Sequence, residues 1–181
     1  NIAFGGAGND TYIVTDNSDQ IRELPGEGDD TVLSSVSFSA EQAAFEQSLE
    51  NITLTGTSNI AVSGNAATRR ITGNSGNNAI DDGMGPATMA GAAGDDTYAV
   101  HGVSSRIVEE VDGGNDSVAL WLTSTYTLSD HVENLTLHSS DPSARSALIG
   151  NAQGNVITGA VGNDRIDGGA GADTMNGDTG N

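Results

Sequence analysis

Residues 5–13 read GGAGNDTYI, and two similar stretches follow, GAAGDDTYA at 91–99 and GGAGADTMN at 168–176. Each stretch has glycines among its first four residues, an aspartate at the sixth position and an apolar residue at the eighth. Glycine adopts left-handed backbone conformations without steric cost, so the first six residues are expected to form a tight turn. The last three residues then form a short strand. This nine-residue pattern decides the fold.

Apolar residues recur with the same period. These residues, nine positions apart within each series, are Val62, Ile71, Ile80, Met89, Tyr98 and Ile107, and then Leu148, Ile157, Ile166 and Met175. A period of nine residues is too long for one face of a helix. Each glycine inside a helix would also destabilise the helix by about 1 kcal/mol. Two repeats make one 18-residue coil, and successive coils stack about 4.8 Å apart. We therefore predict an all-β fold, a right-handed parallel β-solenoid or β-roll, with Tyr12 and these apolar residues inside. Only residues 40–48 are expected to form a short helical turn.

A longer period of 86 residues divides the chain. A shift of 86 places Gly5 on Gly91, Asp10 on Asp96 and Tyr12 on Tyr98. We predict one continuous solenoid with a first unit at 1–86, a second unit at 87–172 and the start of a third at 173–181. Because the chain begins and ends within the motif, we expect it to be a piece of a longer protein.

The composition is strongly acidic. Six arginines and no lysine oppose 25 aspartates and glutamates, for a formal charge of −19. This charge repels nucleic acid and anionic membranes, so neither is expected as a partner. High charge with few aromatic residues is also typical of disordered chains, but the regular apolar positions favour a fold completed by a cation. There is no cysteine and therefore neither a disulfide nor a cysteine-based zinc site. No apolar run approaches the roughly 20 residues needed to span a membrane.

The chemistry of the turns points to calcium. Stacked turns place backbone carbonyl oxygens and two carboxylates around one gap, and all-oxygen surroundings with six to eight ligands suit Ca²⁺ better than Mg²⁺. We expect turn 25–30 to stack on turn 5–10, and turn 91–96 to lie between 73–78 and 112–116. Turn 82–87 has Ala87 in place of the aspartate, and Arg69 occupies another aspartate position, so we expect this edge of the first unit to be metal-free.

The candidate ligands are the glycines, aspartates and one asparagine of the competent turns. They are Gly5, Gly6, Gly8, Asp10, Gly26, Gly28, Asp30, Gly73, Gly76, Asn78, Gly91, Gly94, Asp96, Gly114, Asp116, Gly159, Gly162, Asp164, Gly168, Gly169, Gly171 and Asp173.

GGAGNDTYI and GGAGADTMN match the nine-residue G-G-x-G-x-D-x-apolar-x repeat of the RTX (repeats-in-toxin) proteins, so the chain resembles an internal repeat module of a large bacterial protein of that family. The resemblance implies several bound Ca²⁺ ions and a β-roll. It also implies secretion through a type I system and folding triggered by calcium outside the cell. Type I substrates usually carry a C-terminal secretion signal, and none is visible in this sequence.

Several other residues invite a functional interpretation. The three histidines share no spacing and are not expected to form a metal or catalytic set. The Glu-Asn pairs at 50–51 and 133–134 are expected to hydrogen-bond a turn, with a carbohydrate contact as the alternative. Trp121 and Tyr126 are expected to lie in the core or an interface, although a ligand platform is open.

Three functions compete. The first is a calcium-binding structural module of a secreted or cell-surface protein, such as an adhesin or a surface-layer component. The others are an accessory β-roll of a secreted protease, lipase or polysaccharide-modifying enzyme, and a sugar- or ice-binding face. The tandem units favour the first. H-E-x-x-H and G-x-S-x-G motifs are absent, so the chain itself is not expected to be an enzyme. Its expected partners are further repeats of the same or neighbouring chains at both solenoid ends, with polysaccharide or cell-surface contact left open.

Overall fold

Short parallel strands make up the regular structure of the chain. The computed structural model describes residues 1–41 and 48–180, and in these residues it contains nineteen strands and no helix. The helical turn expected at 40–48 falls mostly on 42–47, outside the described residues. Accordingly, no described segment is a helix long and apolar enough to cross a membrane.

The strands alternate between two faces of a solenoid. The first face contains β1 (Ile2–Phe4), β3 (Gln20–Arg22), β5 (Phe38–Ser39), β7 (Ala61–Ser63), β9 (Ala79–Asp81), β11 (Thr97–Val100), β13 (Ser117–Leu120), β15 (Asn134–Leu137), β17 (Val156–Thr158) and β19 (Thr174–Asn176). The second face contains β2 (Thr11–Val14), β4 (Thr31–Ser34), β6 (Asn51–Leu54), β8 (Arg70–Thr72), β10 (Thr88–Ala90), β12 (Arg106–Ile107), β14 (Thr125–Thr127), β16 (Ala147–Ile149) and β18 (Arg165–Asp167).

Each strand pairs in parallel with strands of the neighbouring coils. The first face comprises sheets of two and eight strands, and the second face comprises sheets of six and three. The commonest offset is 18 residues, as between Ile71 and Met89. It grows where longer segments interrupt the nine-residue repeats, to 20 between Tyr12 and Val32. The predicted parallel solenoid is confirmed, and turns of unequal length are accommodated at its edges. Turns from the first face to the second form what we call the first edge, and the returning turns form the second edge.

The core fills the space between the two faces. The middle residues of the short strands are buried as predicted, namely Tyr12, Val62, Ile71, Ile80, Met89, Tyr98, Ile107, Leu148 and Ile157. Alternation of side chains along a strand explains this, because each three-residue strand turns one central side chain inward. The prediction is wrong for Met175, which is 52% exposed, since its strand β19 pairs on one side only, with β17. Ile166 is partly buried against the core.

The second copy of each repeat lies on the opposite face from the first. Tyr12 belongs to β2 on the second face, whereas Tyr98, 86 residues later, belongs to β11 on the first face. Among the described residues, the strand of Tyr98 is the ninth after that of Tyr12, an odd number, so the second unit starts half a coil out of phase. Corresponding turns of the two units therefore lie at opposite edges.

Candidate metal centres

The predicted stacking at the first edge is confirmed. Strand β4 pairs with β2 so that Thr31 lies beside Thr11, which places turn 25–30 on turn 5–10. The backbone N–H of Asp10 donates to Asp30 Oδ1 over 2.8 Å. One carboxylate oxygen of Asp30 thus ties two coils together, and the other oxygen is left for a different partner.

The same arrangement occurs at the second edge, with turn 91–96 in the middle of three stacked turns. The backbone N–H of Asn78 donates to Asp96 Oδ1 over 2.6 Å. The backbone N–H of Asp96 in turn donates to Asp116 Oδ1 over 2.8 Å. Asp96 therefore connects both neighbouring coils, as the sequence predicts.

At both edges, the series of aspartates that accept backbone N–H groups from the neighbouring coil ends on a glutamate. Glu50 accepts the backbone N–H of Asp30, and Glu133 accepts that of Asp116, both over 2.8 Å. The asparagine that follows each glutamate donates its side-chain amide to the carbonyl of the same aspartate. The expectation that the two Glu-Asn pairs hydrogen-bond a turn is confirmed.

A cluster of three carboxylates lies inside the first edge. Asp10, Glu23 and Asp30 have ligand oxygens within 4.8 Å of one another. Glu23 and Asp30 are buried, and each member keeps one buried oxygen that makes no hydrogen bond to any described residue: Asp10 Oδ2, Glu23 Oε1 and Asp30 Oδ2. The Tyr12 hydroxyl donates to the other oxygen of Glu23. Three converging anionic oxygens without donors are the surroundings that a hard divalent cation needs.

The second cluster repeats the first one 86 residues later, at the second edge. It contains Asp96, Glu109 and Asp116, and again each carboxylate has one buried oxygen for which the described residues offer no hydrogen-bond donor. The Tyr98 hydroxyl donates to Glu109 Oε1, and the backbone N–H of Gly91 reaches the same oxygen over 3.2 Å. Both clusters thus have the same three acids and the same tyrosine donor.

Burial makes four of these carboxylates, those of Glu23, Asp96, Glu109 and Asp116, costly to ionise without a counter-ion. Burial, reinforced by the nearby charge of Asp116, raises the pKa of Glu109 to about 7. Burial likewise raises the pKa of Asp96 to about 6. It also raises the pKa values of Asp116 and Glu23. A bound cation would remove this penalty, because it replaces the lost hydration and neutralises the mutual repulsion.

Glycine keeps the space at each cluster open. A Cβ atom on Gly5 would lie 2.6 Å from Asp10 Oδ2 and 2.7 Å from Glu23 Oε2. On Gly91 it would overlap the carboxylate of Asp96 and approach the Tyr98 hydroxyl to 2.5 Å. Any larger residue at these positions would therefore collide with carboxylate oxygens of the cluster. The residues present fit a calcium ion.

The sequence pattern missed the glutamates and the tyrosine hydroxyls of these clusters. Glu23 and Glu109 stand one coil beyond Gly5 and Gly91, where the nonapeptide repeat calls for glycine. The signal was present, since both glutamates fall in the same register under the shift of 86. Tyr12 was expected to be a core residue, which its burial confirms, but its hydroxyl also contacts the cluster.

The remaining predicted glycines have structural positions between stacked turns. A Cβ atom would collide with the backbone of an adjacent coil at Gly28, Gly73, Gly76, Gly94, Gly114, Gly162, Gly169 and Gly171. Backbone φ is positive at Gly6, Gly8 and Gly26. A Cβ atom would meet the carboxylate of the same turn at Gly159 and Gly168.

Three predicted ligands lie outside any described three-acid cluster. Asn78 Oδ1 accepts the backbone N–H of Asn74, within its own turn. Asp164 has both oxygens engaged, by backbone N–H groups of Ser146 and Ala160. Asp173 Oδ1 accepts the backbone N–H of Asn155. In the described part of the chain, no further acid joins Asp164 or Asp173 to form a cluster.

A third group of possible ligands lies at the first edge, near turn 82–87, although the sequence predicts this edge of the first unit to be metal-free. Asp81, Asp82 and His101 have ligand atoms within 4.8 Å of one another, with His101 Nδ1 3.3 Å from Asp81 Oδ1 and 3.4 Å from Asp82 Oδ1. The exposed Trp121 stacks on His101 with ring centroids 5.9 Å apart, and its other face stacks on His138 at 4.4 Å. The sequence shows no common spacing for these histidines and favours a core or interface position for Trp121. Tyr126, in contrast, packs against the core.

Comparison with known proteins agrees with these repeats. The family of the RTX calcium-binding nonapeptide repeat matches residues 1–21 and 149–181, with four copies. No curated protein and no solved structure matches the chain. The matched segments contain the predicted turns 5–10, 159–164 and 168–173, and the segment between them continues the same parallel solenoid. RTX nonapeptide repeats bind calcium, and the matched segments of the chain contain these repeats.

Proposed function

We propose that this chain is a calcium-folded structural module of a type I-secreted protein that works outside the cell or on its surface, as in an adhesin or a surface layer. The observation that carries the proposal is the repeated cluster of three buried carboxylates, each with one oxygen that lacks a donor among the described residues. Such clusters destabilise the fold when empty and stabilise it when a cation binds, so folding depends on calcium.

Calcium dependence matches the proposed route of export. Extracellular calcium-binding modules typically have dissociation constants of about 10⁻⁴–10⁻³ M, far above the free calcium of a bacterial cytosol. The chain would therefore stay unfolded inside the cell, pass through a narrow export channel, and fold outside. The absence of cysteine agrees with this route, because no disulfide has to form after export.

The partners that we propose for a structural module are further repeats. Strand β1 pairs only with β3, and β19 pairs only with β17, so each leaves one row of backbone groups unpaired among the described residues. Apolar side chains are exposed on both strands, including Phe4 and Met175. Further repeats of the same or a neighbouring chain would cover these edges. We propose no catalytic role for the chain itself.

The test is calcium-dependent folding with matched variants. Circular dichroism in EDTA and then in about 1–10 mM Ca²⁺ should show a strand signal that appears with calcium and not with Mg²⁺. The double variant Asp30→Asn with Asp116→Asn should bind calcium far more weakly and need more of it to saturate its calcium-dependent gain of strand signal, because each change removes one buried acid from a cluster. The control, Asp29→Asn with Asp95→Asn, makes the same change in charge at exposed neighbouring positions and should fold like the wild type. Equal calcium requirements for the two double variants would disprove the proposal.

A further inference from the structure

We propose that Asp81, Asp82 and His101 form a zinc site that is separate from the calcium clusters. The site lies at the first edge, between turn 82–87 and the turn that begins at His101 in the next coil. In this part of the first edge, Ala87 replaces the aspartate that the calcium repeat requires. The proposal concerns different residues from the two calcium clusters and does not rest on them.

The distances favour a shared metal ion over a hydrogen bond. His101 Nδ1 is 3.3 Å from Asp81 Oδ1 and 3.4 Å from Asp82 Oδ1. A charge-assisted hydrogen bond would be about 2.7–2.9 Å long. Two ligands about 2.1 Å from a tetrahedral Zn²⁺ lie about 3.4 Å apart, which agrees with both separations. Moreover, the Nδ1 atom is buried and makes no hydrogen bond to any described residue.

The donor set selects the class of metal. Calcium takes six to eight oxygen ligands, whereas imidazole nitrogen suits zinc and other transition metals. One histidine and two carboxylates leave a tetrahedral Zn²⁺ one further position, for water or an external ligand. The two carboxylate charges would balance the ion. The third group therefore differs in chemistry from the all-carboxylate clusters.

Backbone groups hold both carboxylates in place. The Gly83 N–H donates to Asp81 Oδ1 over 2.8 Å, and the Met84 N–H donates to Asp82 Oδ1 over 3.0 Å. The buried Asp82 also uses its Oδ2 atom to accept the backbone N–H groups of His101 and Gly102. Its Oδ1 atom is consequently directed toward His101 Nδ1. Such hydrogen bonds commonly orient metal-binding side chains and raise metal affinity.

Trp121 restrains the histidine and offers a reporter for it. The indole and imidazole planes differ by only 10°, so the stacking opposes rotation of His101 away from the carboxylates. Trp121 is the sole tryptophan in the sequence. A quenching metal bound at His101 would therefore reduce all of the tryptophan emission. A metal in either calcium cluster would instead change the emission of the tyrosine that contacts that cluster.

The experiment titrates the calcium-saturated chain with Zn²⁺ by calorimetry and with Co²⁺ by Trp121 fluorescence. We expect one tight Zn²⁺ that excess calcium does not displace, and quenching by Co²⁺. His101→Gln and Asp81→Asn should each weaken both signals by at least about tenfold. His138→Gln is the matched control, because His138 stacks on the same indole and lies outside the described three-residue group.

Two outcomes would overturn the zinc site. One is Zn²⁺ binding that is unchanged in His101→Gln and Asp81→Asn, which would leave His101 as an ion-pair partner of the two aspartates. The other is quenching that disappears in His138→Gln instead. Asp81 is partly exposed, so its conservative replacement should leave the fold intact. A calcium-dependent strand signal equal to that of the wild type would verify this.

Discussion

Replacing Asp96 by Asn separates the two effects of a buried acid cluster. Asp96 is buried, its Oδ1 atom accepts the Asn78 N–H, and its Oδ2 atom has no donor in the described structure. An asparagine oxygen can still accept that N–H, so the stacking of the coils is largely kept. What disappears is one negative charge beside Glu109 and Asp116.

The magnitude follows from the pKa of Asp96, which burial raises from 3.8 to about 6. A shift of about two units corresponds to about 3 kcal/mol at neutral pH, at about 1.4 kcal/mol per unit. The hydrogen bond to a neutral acceptor is weaker by about 1 kcal/mol. In EDTA, Asp96→Asn should therefore raise the free energy of unfolding by about 2 kcal/mol.

Calcium should offset the higher stability that Asp96→Asn has in EDTA. At a calcium concentration of about 100 times the dissociation constant, one site contributes about 2.7 kcal/mol to the free energy of unfolding. Asp96→Asn should remove most of this contribution, because it takes a charged oxygen away from the ion. The increase in stability between EDTA and saturating calcium should thus be smaller in the variant by about that amount.

Urea unfolding followed by circular dichroism, with and without calcium, measures both quantities. If the wild type is already unfolded in EDTA, the variant should show a larger strand signal there. Asp95→Asn is the control, since Asp95 is exposed and accepts the backbone N–H of Asn115 from the next coil. It should change either quantity by less than about 0.5 kcal/mol. The reasoning would be refuted by an Asp96→Asn variant that is less stable in EDTA and keeps the full calcium increment.

Further predictions concern the same cluster. Gly91→Ala should abolish calcium binding by this cluster in calorimetry, because the new methyl group would overlap the Asp96 carboxylate, whereas Gly177→Ala should be neutral, since its Cβ would meet nothing within 4 Å. Tyr98→Phe should weaken calcium affinity about tenfold, because Glu109 loses the hydroxyl that positions it. The pKa of Glu109 is raised in the folded chain to about 7, so its ionisation costs stability as the pH rises from about 4 to 7. In EDTA any residual strand signal should fall over that range, and in calcium this fall should be absent or reversed; a parallel decline in both buffers would contradict the cluster assignment.

The sequence predicts the solenoid because its period is short and chemically simple. Turns of glycine and aspartate alternate with single inward apolar residues, and Ile71, Ile80 and Met89 lie in the core as their spacing requires. Residues that depart from the period were harder to place. Glu23 and Glu109 stand where the repeat has glycine, so a search for the repeat treats them as defects although they complete the clusters.

Coils of unequal length made the column of His101, Trp121 and His138 hard to predict from the sequence. His101, Trp121 and His138 are 20 and 17 residues apart, which looks irregular in the sequence. Strands β11, β13 and β15 pair with these same offsets, so the residue after each strand falls in one column. A fixed spacing of 18 could not reveal this column. Pairing between the strands, rather than distance along the chain, decides which side chains meet.

The odd number of strands in the 86-residue unit determines where calcium acts on the solenoid. Strands β2–β10 and β11–β19 are nine each, and two strands make one coil, so the second unit begins on the face opposite to the first. The cluster around Asp30 consequently lies at the first edge, and the cluster around Asp116 lies at the second. With an even number of strands, every cluster would lie along one edge, and only that edge would be fastened by metal. Because the clusters of successive units lie at opposite edges, calcium instead stabilises both edges. The strongly negative clusters are also separated across the width of the solenoid. Because apolar residues at every ninth position face the core equally well on either face, this half-coil shift preserves the packing of the interior.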